Sequence, residues 1–341
     1  MATGLAPLSS GTPKPLVTRH DVALLDLDGV LYIGPDAVPG APAAVAQAAR
    51  AGLRPAYVTN NASRTPATVA AHLTALGVPA EESDVVTSAQ AVATLVAGRV
   101  PAGSRVLVVG GEGLCAALVE RGLEPTSSAE GAAAVVQGFA PDVSWALLAE
   151  GAYAVTAGLP WLASNLDATI PTPRGIAPGN GALVEVIAGA TGRRPDAVAG
   201  KPETPLHDEA VRRTGARDPI VVGDRLDTDI EGANNAGVPS LLVLTGVAGP
   251  VDLVLAEAGL RPTYVSVGLA DGLLAPHPAV EQRDGAWACG GWQVRSGRSG
   301  GLEVTGAGTP LDGLRTVCVA AWSGEPVTAE EARRAVAALG L

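Results

Sequence analysis

Aromatic residues and cysteines are scarce in this chain of 341 residues. Phe, Trp and Tyr together make up 3% of it, so the 47% of hydrophobic residues must form a core of Ala, Val and Leu with few large rings. The three cysteines, Cys115, Cys289 and Cys318, are an odd number and lie far apart. This arrangement argues against a disulfide framework and against paired zinc ligands, and it predicts reduced cysteines in a cytoplasmic protein.

Long apolar runs and an excess of positive charge are also missing. The most apolar region, residues 131–163, is interrupted by Asp142 and Glu150, whereas a membrane-spanning helix needs about 20 consecutive apolar residues. Residues 1–20 are rich in Ser, Thr, Gly and Pro without the apolar centre of a signal peptide, so we expect a loose leader. The net charge of -11 argues against nucleic acid and anionic membranes as partners, whereas a small anionic substrate remains possible at a locally positive site.

The chain instead contains a regular alternation of strand-like and helix-like segments, long enough for about two domains. An apolar segment from Val22, a helical segment over Pro39–Ala51 and an apolar segment over Leu53–Thr59 form the first βαβ unit. This alternation predicts an α/β fold with a doubly wound parallel-sheet (Rossmann-like) core. The predicted domains are a core at residues 1–88 and 180–276, an inserted α/β cap at 89–179 and a small α+β appendage at 277–341.

The appendage is predicted from short alternating segments. Trp287–Val294, Leu302–Thr305 and Leu314–Trp322 alternate like antiparallel strands. Thr328, followed by Glu331, has the spacing of a capping box and predicts a final helix.

Two acids stand where the first predicted strand ends. Asp26 and Asp28 are two positions apart and should point the same way, while Leu27 points into the core. Carboxylates this close repel each other unless a cation lies between them or one keeps its proton. Gly29 then allows a sharp turn. A plain strand-to-turn junction explains the motif equally well unless the rest of the chain supplies partners.

Complementary polar groups follow other predicted strands: Thr59 with Asn60, Lys201, and Asp224 with Asp229. Ligands of open α/β sheets bind outside the carboxyl ends of the strands, so these groups can converge. Only two of the 23 basic residues are lysine, and a compact ammonium suits a point contact with a phosphoryl oxygen.

Acids at these strand ends would suit a magnesium ion. Mg²⁺ prefers one or two carboxylates together with waters and substrate phosphate, which Asp26 and Asp224 could provide. For Asp229 a simpler explanation exists, because an acid in the first turn of a helix is favoured by the helix dipole. We also predict a capping box of Thr228 and Glu231 at the start of that helix.

Four motifs occur in a fixed order: Asp-Leu-Asp-Gly-Val-Leu-Tyr at 26–32, Val-Thr-Asn-Asn at 58–61, Gly-Lys-Pro at 200–202 and Gly-Asp-Arg-Leu-Asp-Thr-Asp-Ile at 223–230. Over residues 20–275 this set resembles the haloacid dehalogenase superfamily of phosphohydrolases. The resemblance extends to the branch with a large α/β (type IIA) cap, which includes phosphoglycolate and glycerol 3-phosphate phosphatases.

The resemblance implies a Mg²⁺-dependent phosphatase that forms an aspartyl phosphate. It implies that Asp26 attacks phosphorus, while Asp28 acts first as acid and then as base. It implies that the phosphoryl oxygens are held by Thr59, Asn60 and Lys201. The metal would be bound by Asp26, the Asp28 carbonyl and Asp224, with Asp229 in support.

The substrate is expected to be a small phosphorylated metabolite. By resemblance to actinobacterial members, glycerol 3-phosphate is the first expectation, with 2-phosphoglycolate, pyridoxal phosphate and nucleotide monophosphates as alternatives. Specificity is expected to come from Asn165 and Asp167 at a strand end and from Asn180 beside a Gly-Pro loop, although structural turns explain these equally well. The appendage resembles a reduced acetyltransferase module, for which packing or homodimerisation is the expected role.

Two rival functions remain at this point. A receiver-like signalling module would also use acids, a Thr and a Lys at sheet edges, but it leaves the insertion and the second acid group unexplained. A dinucleotide-dependent oxidoreductase is suggested by Gly111-Glu112-Gly113-Leu114-Cys115-Ala116, which follows a strand and opens a helix. The next predicted strand ends in Gln137 and Gly138, where that fold would place an acid for the ribose.

Overall fold

The computed structural model describes residues 8–172, 174–297 and 301–341. The chain divides into two compact units: unit 1 is Met1–Pro55 with Ala216–Leu341, and unit 2 is Ala56–Gly215. The boundaries of these two units differ from those predicted for the core, the cap and the appendage. The division into three domains stays a prediction.

The described strands are short. They are β1 (Val22–Leu25), β2 (Tyr32–Ile33), β3 (Asp36–Ala37), β4 (Arg54–Thr59), β5 (Val85–Thr87), β6 (Arg105–Val109), β7 (Glu124–Thr126), β8 (Ala134–Gln137), β9 (Trp161–Ala163), β10 (Thr169–Thr172), β11 (Gly175–Pro178), β12 (Ala197–Val198), β13 (Pro219–Gly223), β14 (Ser240–Val243), β15 (Tyr264–Ser266), β16 (Glu281–Arg283), β17 (Ala286–Cys289), β18 (Trp292–Ser296) and β19 (Leu302–Gly306).

The described α-helices alternate with these strands over much of the chain. They are α1 (Ala41–Arg50), α2 (Pro66–Ala75), α3 (Ser88–Ala97), α4 (Glu112–Glu120), α5 (Trp145–Thr156), α6 (Asn180–Thr191), α7 (Pro205–Thr214), α8 (Glu231–Ala236), α9 (Pro250–Val254), α10 (Leu269–Leu274), α11 (Pro310–Ser323) and α12 (Ala329–Ala337). Among them we find none with the length and hydropathy that a membrane crossing requires.

In unit 1, β1, β13, β14 and β15 pair in parallel. Every residue of β1 and β14 is buried. Strands of a parallel sheet are covered on both faces, which explains why these segments are continuous apolar runs without alternation.

In unit 2, a five-stranded sheet has the order β12-β9-β8-β6-β7, and its strands pair in parallel. Its core includes Leu107, Val135 and the fully buried Trp161, with Val184 and Ile187 of α6 packed on them. In the same unit, β4 pairs in parallel with β5. The predicted α/β fold with a Rossmann-like parallel-sheet core is confirmed.

The prediction of a strand over Leu314–Trp322 is wrong, because this segment lies inside α11. All residues from Gly313 to Ala321 are buried, Arg315 and Thr316 included, so this stretch lacks the exposed polar face from which a 3.6-residue pattern is recognised. The missed signal is Thr309, whose hydroxyl accepts a hydrogen bond from Asp312 N–H, followed by Pro310 at the first helical position. The predicted strand Trp287–Val294 is divided by a turn at residues 290–291 into β17 and β18, whereas the predicted strand Leu302–Thr305 lies within β19. With β16, which was not predicted, these strands form the antiparallel sheet β16-β17-β18-β19.

The prediction of a loose leader is wrong for residues 8–20, and residues 1–7 lie outside the described chain. Leu8 is buried, and its N–H donates to Thr263 O at 3.1 Å. Thr12 forms a bridge with His277. The Gly- and Pro-rich composition therefore reflects turns packed on unit 1 and not a free segment.

Two of the three predicted helix caps are present. Thr65 accepts a hydrogen bond from Thr68 N–H at the start of α2, and Thr328 and Glu331 form the capping box of α12. The predicted box of Thr228 and Glu231 is wrong, because Leu226–Ile230 forms a turn of π-helix that runs directly into α8.

Candidate active site

Three carboxylates come together at the carboxyl ends of two neighbouring strands of unit 1. Asp26 follows β1 directly, and Asp224 follows β13. Carboxylate oxygens of Asp26, Asp224 and Asp229 all lie within 4.8 Å of one another, and Asp224 and Asp229 are buried. The parallel pairing of β1 with β13 accounts for the meeting of residues almost two hundred positions apart.

The main chain around these acids is held by short contacts. Asp26 N–H donates to Val222 O at 2.8 Å, which continues the sheet pairing up to the acid. Asp224 Oδ2 accepts the N–H of Val247 at 2.7 Å, and Thr245 Oγ1 donates to Gly29 O at 2.6 Å. The loop after β14 therefore fixes both the Asp224 carboxylate and the turn that follows Asp26.

Two glycines are required by the close approach of the main chain to Asp224. A Cβ on Gly29 or on Gly246 would collide with Asp224 Oδ2. Gly29 also has a φ of 80°, in the left-handed region that other residues rarely adopt. Neither position can change without displacing Asp224.

The π-helical turn places Asp229 in the acid group. Asp229 Oδ2 accepts the N–H of Arg225 at 3.1 Å, and a Cβ on Gly223 would collide with the Asp229 side chain. The carboxylate thus lies against the end of β13 and accepts the main-chain N–H of the residue that precedes the π-helical turn. Asp227 is exposed and pairs with Arg225 instead.

This donor set fits a hard divalent cation. Three carboxylates within 4.8 Å of one another are unfavourable unless a positive charge compensates them. Oxygen ligands of this kind, on a main chain packed too tightly to relax, are those that Mg²⁺ accepts.

Asp28 lies beside this group but differs from it in exposure. Leu27 is buried as predicted, whereas Asp28 is exposed. The hydroxyl of Tyr32 donates to Asp28 Oδ2 at 3.4 Å. An exposed carboxylate in contact with a hydroxyl can exchange protons with a substrate or with water.

The other predicted site residues form a connected polar group in unit 2. Thr59 ends β4, is buried, and accepts the N–H of Asn61 at 3.1 Å through its hydroxyl. Lys201 is also buried, with Nζ 3.4 Å from Val58 O. Asn60 contacts both Lys201 and Asp167, and Asn165 contacts Asn60.

Sequence reasoning missed the loop Thr245–Val247 and the contact of Asn60 with Asp167. The loop could have been predicted, because Thr245-Gly246 comes just after a buried strand, as the other polar residues of the site do. The contact could not, because the two residues are 107 positions apart with no shared pattern.

The glycine pattern at residues 111–116 has a packing explanation. A Cβ on Gly113 would lie 2.6 Å from Arg64 O, so glycine is needed where α4 packs on residues 62–64. This requirement is independent of any dinucleotide.

Family models match three parts of the chain. Residues 23–124 match the haloacid dehalogenase-like hydrolases, residues 198–272 match a model described as HAD-hydrolase-like, and residues 289–341 match a GCN5-related N-acetyltransferase like domain. The D-glycerol 3-phosphate phosphatase of Mycobacterium tuberculosis is 45% identical over 310 residues, which are 89% of this chain and 83% of the relative.

The chain belongs to the haloacid dehalogenase-like hydrolases.

Other relatives of this hydrolase are phosphatases too. A 5'-nucleotidase of Bacillus subtilis is 38% identical over 66% of the chain and 87% of that relative. The crystal structure of the glycerol phosphate phosphatase from M. tuberculosis in complex with magnesium matches with a TM-score of 0.86 and 42% identity, covering 96% of this chain and 99% of that one. This hydrolase is therefore a phosphoric monoester hydrolase. The two rival interpretations of the sequence, a receiver module and an oxidoreductase, are rejected.

Proposed function

We propose that this hydrolase is a Mg²⁺-dependent phosphatase whose preferred substrate is glycerol 3-phosphate. The observation that carries the proposal is the group of three carboxylates at the ends of β1 and β13. The choice of glycerol 3-phosphate as substrate is supported by the 45% identity to the D-glycerol 3-phosphate phosphatase of M. tuberculosis.

The metal would be held by the carboxylates of Asp26 and Asp224 and by the main-chain carbonyl of Asp28, with Asp229 supporting them. Bound Mg²⁺ would neutralise the carboxylates and the charge on the transferring phosphoryl group. The tight packing of Gly29 and Gly246 against Asp224 keeps that ligand in place without an adjustment on binding.

Asp26 is the proposed nucleophile. Its carboxylate oxygen forms a bond to phosphorus while the ester bond to the leaving oxygen breaks, and Asp28 donates its proton to the departing alcohol. Asp28, now a carboxylate, then takes a proton from a water molecule that attacks the aspartyl phosphate. Inorganic phosphate leaves, and Asp26 is restored.

Phosphate binding is proposed for Thr59 and Lys201, which stabilise the charge on the transferring group, and for Asn60 through its hydrogen bonds to the Lys201 main chain. Substrate choice is proposed to depend on a cap formed by residues 89–179; the sequence placed the specificity residues at Asn165, Asp167 and, at its edge, Asn180. The small phosphate ester is the proposed partner, in the cytoplasm, with the C-terminal segment 277–341 available for homodimerisation.

A phosphate-release screen tests the proposal. Glycerol 3-phosphate, 2-phosphoglycolate, pyridoxal phosphate and nucleoside monophosphates are compared with and without Mg²⁺, at multiple turnover. We expect Mg²⁺-dependent release with the highest kcat/KM for glycerol 3-phosphate.

Asp26→Asn should reduce release by at least about a thousand-fold, because the nucleophile is lost while the fold is kept. Asp271→Asn, which neutralises an exposed acid of α10 in the same unit, is the matched control. Release by Asp26→Asn at the rate of the control would exclude Asp26 as nucleophile, and no release from any ester by the wild type would exclude the function.

A further inference from the structure

The carboxamide of Asn60 bridges both main-chain polar groups of Lys201. Asn60 Oδ1 accepts the N–H of Lys201 at 2.8 Å, and Asn60 Nδ2 donates to Lys201 O at 3.1 Å. A side-chain amide thus pairs with residue 201 as a neighbouring strand would. The two residues are 141 positions apart, so this bridge ties the end of β4 to the loop that carries the lysine.

The second hydrogen of the Asn60 amide is directed at Asp167. Asn60 Nδ2 lies 3.3 Å from each carboxylate oxygen of Asp167. An amide nitrogen has two hydrogens, and Lys201 O and Asp167 account for both. Because Lys201 N–H donates to Asn60 Oδ1 and the Asp167 carboxylate accepts from Asn60 Nδ2, the two contacts together fix which way the amide faces.

The main chain of Asn60 is held as firmly as its side chain. Its carbonyl oxygen accepts from Ser88 Oγ at 2.5 Å and from Asn165 Nδ2 at 2.7 Å. The carbonyl of Asn165 accepts from Asn180 Nδ2 at 2.7 Å, and Asn165 and Asn180 are both buried. A chain of asparagines therefore runs from the start of α6 to the lysine loop.

Steric packing leaves no room for this group to adjust. A Cβ on Gly200 would lie 2.6 Å from Asn60 Oδ1 and 2.7 Å from Ser164 O. The loop before Lys201 is therefore pressed against the asparagines, and a shift of Asn60 would be transmitted to the lysine main chain.

We infer that Asn60 is a positioning residue for Lys201, and that Asp167 and Asn165 act on the reaction by fixing Asn60 and not by selecting the substrate. The inference rests on the proposed role of Lys201 in holding the phosphoryl group. It replaces the expected contacts of the Asn60, Asn165 and Asn180 side chains with phosphate or leaving group. The phosphoryl group is common to all substrates, so a change in this network should affect every phosphate ester by the same factor.

An exchange of the two side chains that face each other tests the inference. Asn60→Asp keeps the acceptor for Lys201 N–H, but it removes the donor to Lys201 O and sets the carboxylate of residue 60 against that of Asp167. The bond to Lys201 O is absent in the single and the double variant alike, so the two differ only in the contact with residue 167. Asp167→Asn alone keeps an acceptor for Asn60 Nδ2. In the double variant, the amide of residue 167 can donate to the carboxylate of residue 60, which restores the contact with its direction reversed.

The readouts are kcat and KM for glycerol 3-phosphate and for p-nitrophenyl phosphate, and inhibition by inorganic phosphate. Asn60→Asp should lower kcat/KM about a hundred-fold for both esters and weaken inhibition by phosphate, because a displacement of about 1 Å is enough for such a loss. Asp167→Asn should lower kcat/KM for both esters by one common factor, smaller than that of Asn60→Asp because an amide oxygen at residue 167 can still accept from Asn60 Nδ2. The double variant should recover at least about ten-fold over Asn60→Asp.

Thermal unfolding of each variant distinguishes a displacement of Lys201 from a loss of the folded structure. Should Asn60→Asp fail to fold, the double variant is still expected to fold and to retain equal effects on the two esters. The inference would be overturned if Asp167→Asn changed the ratio of kcat/KM for the two esters, or if the double variant were no more active than Asn60→Asp. In either case an active wild-type protein would still support the phosphatase function. Absence of phosphate release by the wild type from either ester would overturn both.

Discussion

At the scale of single residues, Asp227 and Asp229 show how position decides between a surface acid and a site acid. They are two positions apart in the same π-helical turn. Asp229 is 1% exposed and lies with Asp26 and Asp224, whereas the side chain of Asp227 is 61% exposed and pairs with Arg225. Exposed ion pairs contribute little, so the two acids should differ sharply in what their removal costs.

Asp229→Asn should raise the Mg²⁺ concentration needed for half-maximal phosphate release by about ten- to a hundred-fold, since groups that support metal ligands have effects of this size. Asp227→Asn should change it by less than about two-fold. The check is a Mg²⁺ titration of release, together with the upward shift that Mg²⁺ produces in the unfolding temperature. Equal behaviour of the two variants would contradict the placement of Asp229.

At the scale of elements, the bounds of α6 follow from local sequence signals, whereas the packing of its glycines does not. Its predicted bounds, Asn180 to Thr191, are those of the structure, and it ends at Gly192 with a φ of 67°. Inside it, Gly181 and Gly189 are indistinguishable by propensity. A Cβ on Gly181 would collide with Leu166 O, whereas a Cβ on Gly189 would meet nothing within 4 Å.

These two glycines should therefore respond in opposite directions to the same substitution. Gly189→Ala should raise the free energy of unfolding by about 0.5–1 kcal/mol, because alanine costs less backbone entropy in a helix. Gly181→Ala should lower it by about 1–3 kcal/mol, because the new methyl group overpacks the segment before Asp167. Urea unfolding of the two variants and the wild type measures both changes in the free energy of unfolding. Equal changes at the two sites would be inconsistent with this packing.

At the scale of the whole molecule, unit 1 joins parts of the chain that are far apart, and His277 lies where they meet. Its main chain pairs with Thr12, and its Nε2–H donates to Gly272 O at 2.7 Å. Its ring packs on that of Tyr264 with the ring centres 4.8 Å apart and the planes tilted by 46°, and its Nδ1 faces Arg315 of α11 at 3.5 Å. Burial, and after it the positive charge of Arg315, lowers the pKa of His277. The native fold therefore favours the neutral form of this imidazole over the protonated form.

A lowered pKa in the folded state makes stability depend on pH in a defined direction. As the pH falls, the unfolded chain takes up a proton on this histidine first, at about pH 6.5. The free energy of unfolding should therefore decrease as the pH falls from about 7.5 through 6.5, and continue to decrease until the folded-state pKa is reached. Urea unfolding at a series of pH values should show this slope.

His277→Gln should remove part of this dependence, since glutamine does not titrate. Burial also lowers the pKa of His20, so His20→Gln should remove a further part and the double variant should have the flattest profile. A profile that is unchanged in the double variant would show that these two histidines do not control the pH response.

The sequence by itself determined what depends on neighbours in the chain. Buried strands are apolar runs, helices begin at residues such as Thr65 and end at glycines such as Gly192, and Asp26 and Asp224 directly follow their strands. Such features follow from hydrogen bonding and side-chain direction within a few residues. For this reason the α/β fold class and the order of the motifs were accessible without coordinates.

Only the tertiary structure decided which of these residues meet. The helix α11 has no periodic pattern because it is buried on every side, and the segment at residues 8–20 is ordered by contacts with residues more than two hundred positions away. The bridge from Asn60 to Lys201 and Asp167 likewise depends on packing between distant loops. Contacts of this kind are set by shape and by the satisfaction of buried polar groups, which leave no repeating signal in the sequence.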